Sequence, residues 1–183
     1  MVNCPAGTRD DWRQAISEPP SRVSSSPSTW MRPGPVLLDI NILLDVAFQR
    51  PGEPATAHVI ARCGREHQAW LAWHSVATLA YLIERQLSAA QARDFVRSLL
   101  RWADVAVTQR SDALQALDWP MPDYEVALQA AAAVACGAQI IITRNVRDFK
   151  GSPVPAMTPE VFIQQHLPAP PPAAVRRSKP RAT

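Results

Sequence analysis

The apolar and polar residues divide the chain into short apolar runs and longer segments with helical periodicity. Short apolar runs are typical of buried strands, whereas helices repeat their apolar residues every three or four positions. Strands are predicted at 35–39, 69–73, 104–108 and 139–143, with a weaker fifth at 154–157. Helices are predicted at 41–48, 55–66, 75–86, 89–102, 110–117, 124–136 and 159–166.

The order of these elements indicates the fold class. One or two helices separate successive strands, which is typical of crossover connections and a mainly parallel sheet. Local signals support two helix boundaries, because Ser88 is suited to cap the helix that begins near Ala89 and Gly137 is suited to end the Ala-rich helix. The sequence therefore predicts an α/β domain.

The two ends of the chain differ in composition from its middle. Residues 1–34 are rich in Pro, Ser and Arg, and residues 168–183 combine a proline run with four basic residues and no acidic one. Segments of this kind have too few periodic apolar residues to fold alone. We expect two disordered ends around a single domain at 35–167.

The charge and the cysteines narrow the class of protein. The net charge of +3 comes from the ends, because residues 35–167 carry eleven Lys and Arg against thirteen Asp and Glu. Cys4, Cys63 and Cys136 have no metal-ligand spacing, and their odd number does not suit a disulfide framework. The apolar window at 126–142 is interrupted by Gln and Gly. We expect a soluble, cytoplasmic protein with no membrane span.

Polar side chains follow two of the predicted strands, at the point where each strand ends. In open α/β sheets, ligands bind beyond the carboxyl ends of the strands. Oxygen ligands gathered there suit Mg²⁺ or Mn²⁺, which prefer carboxylates and keep several waters. The residues in question are Asp39 and Asn41 after the first strand, Asp123 at the start of a helix, and Thr143, Arg144, Asn145 and Asp148 after the fourth strand.

Three motifs of this sequence resemble those of the PIN domain, the metal-dependent ribonuclease fold of VapC-type toxins in bacterial toxin–antitoxin pairs. They are Leu38-Asp39-Ile40-Asn41, Pro122-Asp123-Tyr124-Glu125-Val126-Ala127-Leu128-Gln129 and Ile142-Thr143-Arg144-Asn145-Val146-Arg147-Asp148-Phe149. Their order and separation over residues 36–166 also match. The resemblance implies a three-layer α/β/α fold with a mainly parallel central sheet of four to five strands.

The resemblance also implies a function. The protein is expected to be a Mg²⁺- or Mn²⁺-dependent endoribonuclease that hydrolyses RNA phosphodiesters, and the toxin of a type II toxin–antitoxin pair. RNA is then its substrate, and an antitoxin protein and a second copy of the chain are its expected partners. Asp39, Asp123 and Asp148 are implied to be the catalytic, metal-binding carboxylates, and Asn41 to orient Asp39 or a bound water.

The motif after the fourth strand carries the remaining expected contacts. By the resemblance, Asn145 and Asp148 bind the metal or hold the attacking water. Thr143 is expected to join the same hydrogen-bond network. Arg144 or Arg147 is expected to meet a phosphate as a bidentate donor.

The chain departs from the PIN pattern at two positions. Val126 stands where related domains have a metal-binding Asp, and valine cannot coordinate a cation. Asp123, three residues earlier, or Glu125 is expected to take its place. Tyr81 stands where many PIN domains have an acid, and Glu84, one turn further on, either substitutes for it or is an ordinary exposed helix residue.

Other interpretations stay open. Asp39 or Asn41 could cap the helix at 41–48, and Asn145 could cap a short helix. The loss of a carboxylate at Val126 also fits a degenerate, non-catalytic PIN-like module that binds RNA or protein. A nucleotide-binding domain is disfavoured, because no Gly-x-Gly-x-x-Gly motif follows a predicted strand.

Two further groups of residues are interpreted as structural. Asp45 is expected to face solvent or to act as a partner of the site. The tryptophans in or beside the predicted elements are interpreted as core or interface packing rather than base stacking, namely Trp70, Trp73, Trp102 and Trp119.

Overall fold

The computed structural model describes residues 34–51, 53–66 and 68–166. The predicted disordered ends, 1–34 and 168–183, lie outside these residues apart from Gly34 at the boundary. None of the described helices is long and apolar enough to cross a membrane.

A five-stranded parallel sheet forms the centre of the described fold. Its strands are β1 (Val36–Leu38), β2 (Ala69–Ala72), β3 (Asp104–Ala106), β4 (Ile140–Ile142) and β5 (Ala156–Met157). They lie in the order β3-β2-β1-β4-β5, and each pair of neighbours is parallel. This confirms the predicted parallel sheet, including its weaker fifth strand.

Helices connect the strands, as the periodicity predicts. Their bounds are α1 (Ile40–Phe48), α2 (Glu53–Glu66), α3 (Trp73–Gln86), α4 (Ala89–Leu99), α5 (Arg110–Leu117), α6 (Tyr124–Ala135) and α7 (Pro159–His166), with a 3₁₀-helix at Val146–Phe149. Both boundary signals are confirmed. The Ser88 hydroxyl accepts a hydrogen bond from the Gln91 N–H at 3.2 Å, and Gly137 has a φ of +68°, which glycine adopts readily.

The alternation of side chains along each strand divides the core into two layers. Val36 and Leu38 pack with one cluster that includes residues of α1 to α4 and α7. Leu37 and Ile141 point to the other side of the sheet, where α6 covers them with the small side chains of Ala130 and its neighbours. Helices on both faces of a parallel sheet give the three-layer α/β/α architecture.

The turn after α1 contains an unfavourable backbone conformation. Gln49 ends the helix with φ and ψ both at 49°, the left-handed region. A residue with a Cβ atom is disfavoured there by roughly 1–2 kcal/mol, whereas glycine is not.

We expect Gln49→Gly to raise the free energy of unfolding by up to about 1 kcal/mol, because the relief of strain exceeds the entropy that glycine loses on folding. Urea unfolding measures the change. Gln115→Gly is the matched control, since Gln115 is exposed inside α5, and it should lower the free energy of unfolding by about 1 kcal/mol. Destabilisation by both changes would contradict the prediction.

Candidate active site

The register of the sheet brings Asp39 and Thr143 together. Leu38 on β1 pairs with Ile142 on β4, so the residues that follow these two strands are neighbours. The Thr143 hydroxyl donates to Asp39 Oδ2 at 2.6 Å, and the Asp39 N–H donates to the Ile142 carbonyl at 3.0 Å. Two predicted site residues that are distant in sequence thus share a strong hydrogen bond at the carboxyl edge of the sheet.

The Asp39 carboxylate is buried, and only one of its oxygens is hydrogen-bonded. The residue is 2% exposed. Oδ2 also accepts from Asn41 Nδ2 at 3.0 Å, whereas Oδ1 is buried without a hydrogen-bond partner. Asp39 occupies the N-cap position of α1, but its side chain makes no capping hydrogen bond. The carboxylate is therefore not used to cap the helix, and its free oxygen is suited to a cation or a donor.

A tight turn after β4 links Thr143 to the other predicted residues of this segment. The Thr143 hydroxyl accepts from the Asn145 N–H at 2.9 Å. The Asn145 side-chain amide in turn donates to the Asp148 carboxylate. Asn145 precedes the 3₁₀-helix but makes no side-chain capping bond to it. Hydrogen bonds thus connect Asp39, Thr143, Asn145 and Asp148 in one continuous series.

Arg144 points away from this series into a second polar cluster. Its Nε donates to Asp45 Oδ2 at 2.7 Å, and one terminal nitrogen donates to the Thr56 hydroxyl at 2.7 Å. The other terminal nitrogen forms an ion pair with Glu160. All three guanidinium nitrogens therefore already contact protein oxygens, and Arg144 joins the end of β4 to α1, α2 and α7.

The environment of this cluster alters two pKa values. Burial alone lowers the pKa of Arg144, but its hydrogen bonds to Glu160 and Asp45 outweigh that effect and raise the pKa. For Glu160, desolvation raises the pKa, but the hydrogen bonds from Arg144, from its own backbone and from Thr158, together with the charge of Arg144, outweigh it, so that the pKa is lowered. Both side chains are held in their charged forms.

Three members of this cluster are missing from the site predicted from the sequence. Asp45 is 5% exposed, so the expectation that it faces solvent is wrong, and it contacts Arg144 instead. Thr56 is fully buried and donates to Asp45 at 3.3 Å. Glu160 lies in the first turn of α7. A buried Asp inside an apolar helix was the one available signal, because such a group needs a charged partner.

Asp123 has a different environment from Asp39. It is exposed and caps α6, since its Oδ1 accepts from the N–H groups of Glu125 at 2.8 Å and Val126 at 3.4 Å. Val126 packs against the apolar layer beneath α6. One oxygen of Asp123 is therefore used to cap α6, the helix that begins at the next residue.

The start of α6 lies beside the start of α3, where Glu125 and His74 interact. Burial lowers the pKa of His74, and the charge and backbone of Glu125 partly offset that effect. Glu125 itself is exposed. The first turns of α3 and α6 thus meet at the edge of the sheet that carries Asp39.

Glu84 is not brought to this edge. It is exposed on α3, eleven residues after the helix begins, which corresponds to roughly 16 Å along the axis. Tyr81 accepts a hydrogen bond from Arg85 at 3.0 Å and is also exposed. Across the described ranges, no group of three or more His, Cys, Asp or Glu side chains is arranged to hold a metal ion.

We expect Thr143→Val to lower the free energy of unfolding by about 1–3 kcal/mol, because it removes one of the two donors to Asp39 Oδ2 and leaves the buried carboxylate with Asn41 as its side-chain donor. Urea unfolding measures the loss. Thr78→Val is the control, since the Thr78 hydroxyl makes only a long bond of 3.4 Å to a carbonyl of its own helix. Equal effects of the two substitutions would contradict the role of Thr143.

Glu160 should make stability depend on pH. Because its pKa is lowered below 4.5 in the folded state, the ionised form stabilises the fold above the unfolded pKa, and this contribution is lost as the pH falls through the folded pKa. The difference in unfolding free energy between wild type and Glu160→Gln should be constant near neutral pH and shrink below about pH 4.5.

Urea unfolding from pH 3 to 7 tests this expectation. Glu84→Gln is a control at another exposed glutamate, for which no ion pair is found within the described part of the chain. If the difference in unfolding free energy between wild type and Glu160→Gln stays constant down to pH 3, ionisation of Glu160 does not contribute to stability, and the expectation is wrong.

Comparison with known proteins shows the family of this chain. The family model of the PIN domain matches residues 35–147, while no curated protein matches the sequence significantly. The fold is similar to the VapBC2 structure from Rickettsia felis bound to a DNA fragment from their promoter, with 14% identity, a TM-score of 0.55, and coverage of 68% of this chain and 98% of the other. It is also similar to the VapBC-1 structure from nontypeable Haemophilus influenzae, with 17% identity, a TM-score of 0.55, and coverage of 69% and 98%. The chain belongs to the PIN-domain family.

Proposed function

We propose that this protein is a divalent-metal-dependent endoribonuclease that hydrolyses RNA phosphodiesters. One observation carries the proposal, namely the Asp39 carboxylate, which is 2% exposed and has a buried oxygen without a partner. A buried carboxylate is costly unless it is paired or bound to a metal. Thr143 and Asn41 orient Asp39 by donating to its Oδ2, and its Oδ1 is the atom that a cation would contact.

The residues present fit a divalent ion in part. Asp39 offers one free oxygen, and Asp148 is linked to it through Asn145 and Thr143. Asp123 retains the oxygen that does not cap α6. Asp39, Asp123 and Asp148 would hold Mg²⁺ or Mn²⁺, since both ions prefer carboxylates and keep several waters. When bound, the ion would polarise the phosphodiester and lower the pKa of the attacking water.

The protein side chains have separate tasks in this proposal. Thr143 and Asn41 fix the orientation of Asp39 by donating to the same oxygen. Asn145 holds Asp148 in place and could orient the attacking water. Arg147 is exposed and is the arginine available to a phosphate, because the nitrogens of Arg144 contact Asp45, Thr56 and Glu160.

The proposal extends to the partners of the protein. Both similar solved structures are VapBC assemblies, one of them bound to a promoter DNA fragment. We infer that this chain acts as a VapC-like toxin with an antitoxin partner, in the cytoplasm and as a homodimer.

A second candidate is a degenerate PIN-like module that binds RNA or protein without catalysis. The observation that favours it is the combination of Val126 at the position of a usual ligand and Asp123 used as a helix cap. Fewer available carboxylates weaken the affinity for a hard cation, because charge and ligand number determine that affinity.

We expect Asp39→Asn to abolish both Mn²⁺ binding and RNA cleavage, because it removes the charge of the buried carboxylate. Calorimetry measures Mn²⁺ binding, and a labelled single-stranded RNA reports cleavage on the same samples. Asp118→Asn is the control, since Asp118 is exposed at the end of α5 and should bind and cleave as wild type does. Retained Mn²⁺ binding in Asp39→Asn would overturn the assignment of the site.

Val126→Asp separates the two candidates. If Asp123 completes the site, the additional carboxylate should change Mn²⁺ affinity by less than about tenfold, because the ligand set is already sufficient. If the module is degenerate, the wild type should show neither binding nor cleavage, and Val126→Asp should create measurable Mn²⁺ binding in the same calorimetric assay.

A further inference from the structure

Trp73 differs from the other tryptophans of the described fold. Its side chain is 71% exposed, whereas Trp70, Trp102 and Trp119 are half-buried against the core clusters. Of the core or interface packing predicted for the tryptophans, core packing is therefore wrong for Trp73, whereas interface packing stays a prediction. A large aromatic ring left in water removes little apolar surface from solvent within the chain, so the fold gives no packing reason for it.

The register of the sheet brings Trp73 to the same edge as Asp39. Val36 pairs with Ala69 and Leu37 with Trp70, so the same register puts Asp39 next to Ala72. Trp73 is the next residue and begins α3. Because neighbouring strands are about 4.8 Å apart, the backbones of Trp73 and Asp39 lie within roughly 10 Å of each other. Trp73 thus begins α3 at the same carboxyl edge of the sheet as the candidate active site.

A ridge of exposed side chains continues from Trp73 along α3. We call Trp73, Ala77, Tyr81 and Arg85 the α3 ridge, since they recur every four residues and all are exposed. Tyr81 is 56% exposed, and the Arg85 guanidinium lies 5.8 Å from the centre of its ring. Two aromatic faces thus lie about 12 Å apart along the helix, with the small Ala77 between them and a cation at the far end.

The positive charge of the domain is concentrated where this ridge ends. Residues 85–101 carry four arginines and one aspartate, a net charge of +3, while the rest of 35–167 carries −5. α3 and α4 pack against each other. Arg85, Arg93 and Arg97 are exposed on these two helices, and Arg101 is exposed in the turn that follows α4. Within this stretch Asp94 forms an ion pair with Arg97 at 2.8 Å, so the net charge of +3 is that of Arg85, Arg93 and Arg101. The basic patch is continuous in sequence and begins directly after the exposed Glu84.

We propose that the α3 ridge and the adjoining arginines form a binding surface for single-stranded RNA, which leads the strand to the candidate active site. This inference rests on the proposed function and specifies its substrate as unpaired RNA. Bases would stack on Trp73 and Tyr81, and phosphates would meet Arg85 and the arginines of α4. Aromatic faces beside a basic track are the combination that binds single-stranded nucleic acid.

The composition of the surface favours RNA over a protein partner. Trp, Tyr and Arg are enriched at protein interfaces too, but the buried centre of such an interface is a contiguous apolar surface that is depleted of charged residues. On the α3 ridge, by contrast, the two aromatic residues are separated by an alanine and followed by arginine, without a contiguous apolar patch. Phosphodiester charge complements the +3 of residues 85–101, and unpaired bases complement the two rings.

The test measures the binding of a fluorescein-labelled oligouridylate of about twelve nucleotides by anisotropy, in EDTA so that no cleavage occurs. This length lies within the roughly 4–16 nucleotides that one binding domain commonly covers. Trp73→Ala and Tyr81→Ala should each weaken binding roughly tenfold, because one stacking platform is lost. Trp73→Phe should restore most of the affinity. None of these changes should weaken the binding of a duplex RNA of the same length, whose bases are already stacked.

The salt dependence separates stacking from charge. Arg85→Gln should reduce the slope of log affinity against log salt by about 0.7, the value for one phosphate contact on a single strand. Trp73→Ala should leave the slope unchanged. Leu117→Ala is the control, because Leu117 is 61% exposed on α5 and should bind RNA as wild type does.

Two results would overturn the inference. One is unchanged RNA affinity in both Trp73→Ala and Tyr81→Ala, and the other is a change only in the sedimentation of the protein, which would mark the ridge as a protein interface.

RNA cleavage in Mn²⁺ distinguishes a failure of this inference from a failure of the proposed function. If cleavage requires Asp39 but is unchanged in Trp73→Ala and Tyr81→Ala, the α3 ridge is not the RNA-binding surface and the proposed nuclease stands. If RNA binding requires Trp73 but no cleavage occurs, the binding surface stands and the nuclease proposal is wrong.

Discussion

The hydrogen bond between the Thr143 hydroxyl and the Asp39 carboxylate is the contact around which the edge of the sheet is organised. Burying a carboxylate costs several kcal/mol unless donors or a cation compensate. Here two donors reach one oxygen, at 2.6 Å from Thr143 and 3.0 Å from Asn41. The same hydroxyl accepts from the Asn145 N–H and so fixes the turn that carries Asn145 and Asp148. The geometry of the candidate site follows from this one contact.

Successive residues after β4 hold two buried carboxylates of α1. Thr143 binds Asp39, which precedes the helix, and Arg144 binds Asp45, which lies one and a half turns further along. The segment after β4 therefore fastens α1 at two points, while Thr56 and Glu160 bring α2 and α7 to the same arginine. Because Arg144 is charged and multiply hydrogen-bonded, its contacts are directional and hold these elements in a defined orientation.

The fold could be predicted from the sequence, because local and global signals agree. Strand-sized apolar runs separated by helical periodicity indicate a parallel sheet, and Ser88 and Gly137 mark helix ends through local backbone chemistry. The site was predictable only in part. That Asp39 and Thr143 lie close together follows from the rule that the ligand site of an open α/β sheet is at the carboxyl ends of its strands, since both residues follow such strands.

The side-chain partners could not be predicted, because they depend on tertiary contacts. Arg144 is equally suited by sequence to a phosphate or to buried carboxylates, and only the packing of α1, α2 and α7 decides between them. Asp39 and Asp123 both stand at helix N-caps, yet only Asp123 caps its helix. The exposure of Trp73 is likewise a property of the assembled sheet edge, since its apolar neighbours in sequence indicate burial.

The long sequence separation of the Asp39–Thr143 pair has a consequence for biosynthesis. These two residues are 104 positions apart, so β1 and α1 leave the ribosome well before the segment that completes the site. At typical translation rates this interval lasts roughly 5–20 s. During that time the nascent chain contains Asp39 without its principal donor, and the site is assembled only when synthesis of the domain is nearly finished. Under the proposed function, RNA cleavage would therefore begin only once the synthesis of the domain is nearly complete.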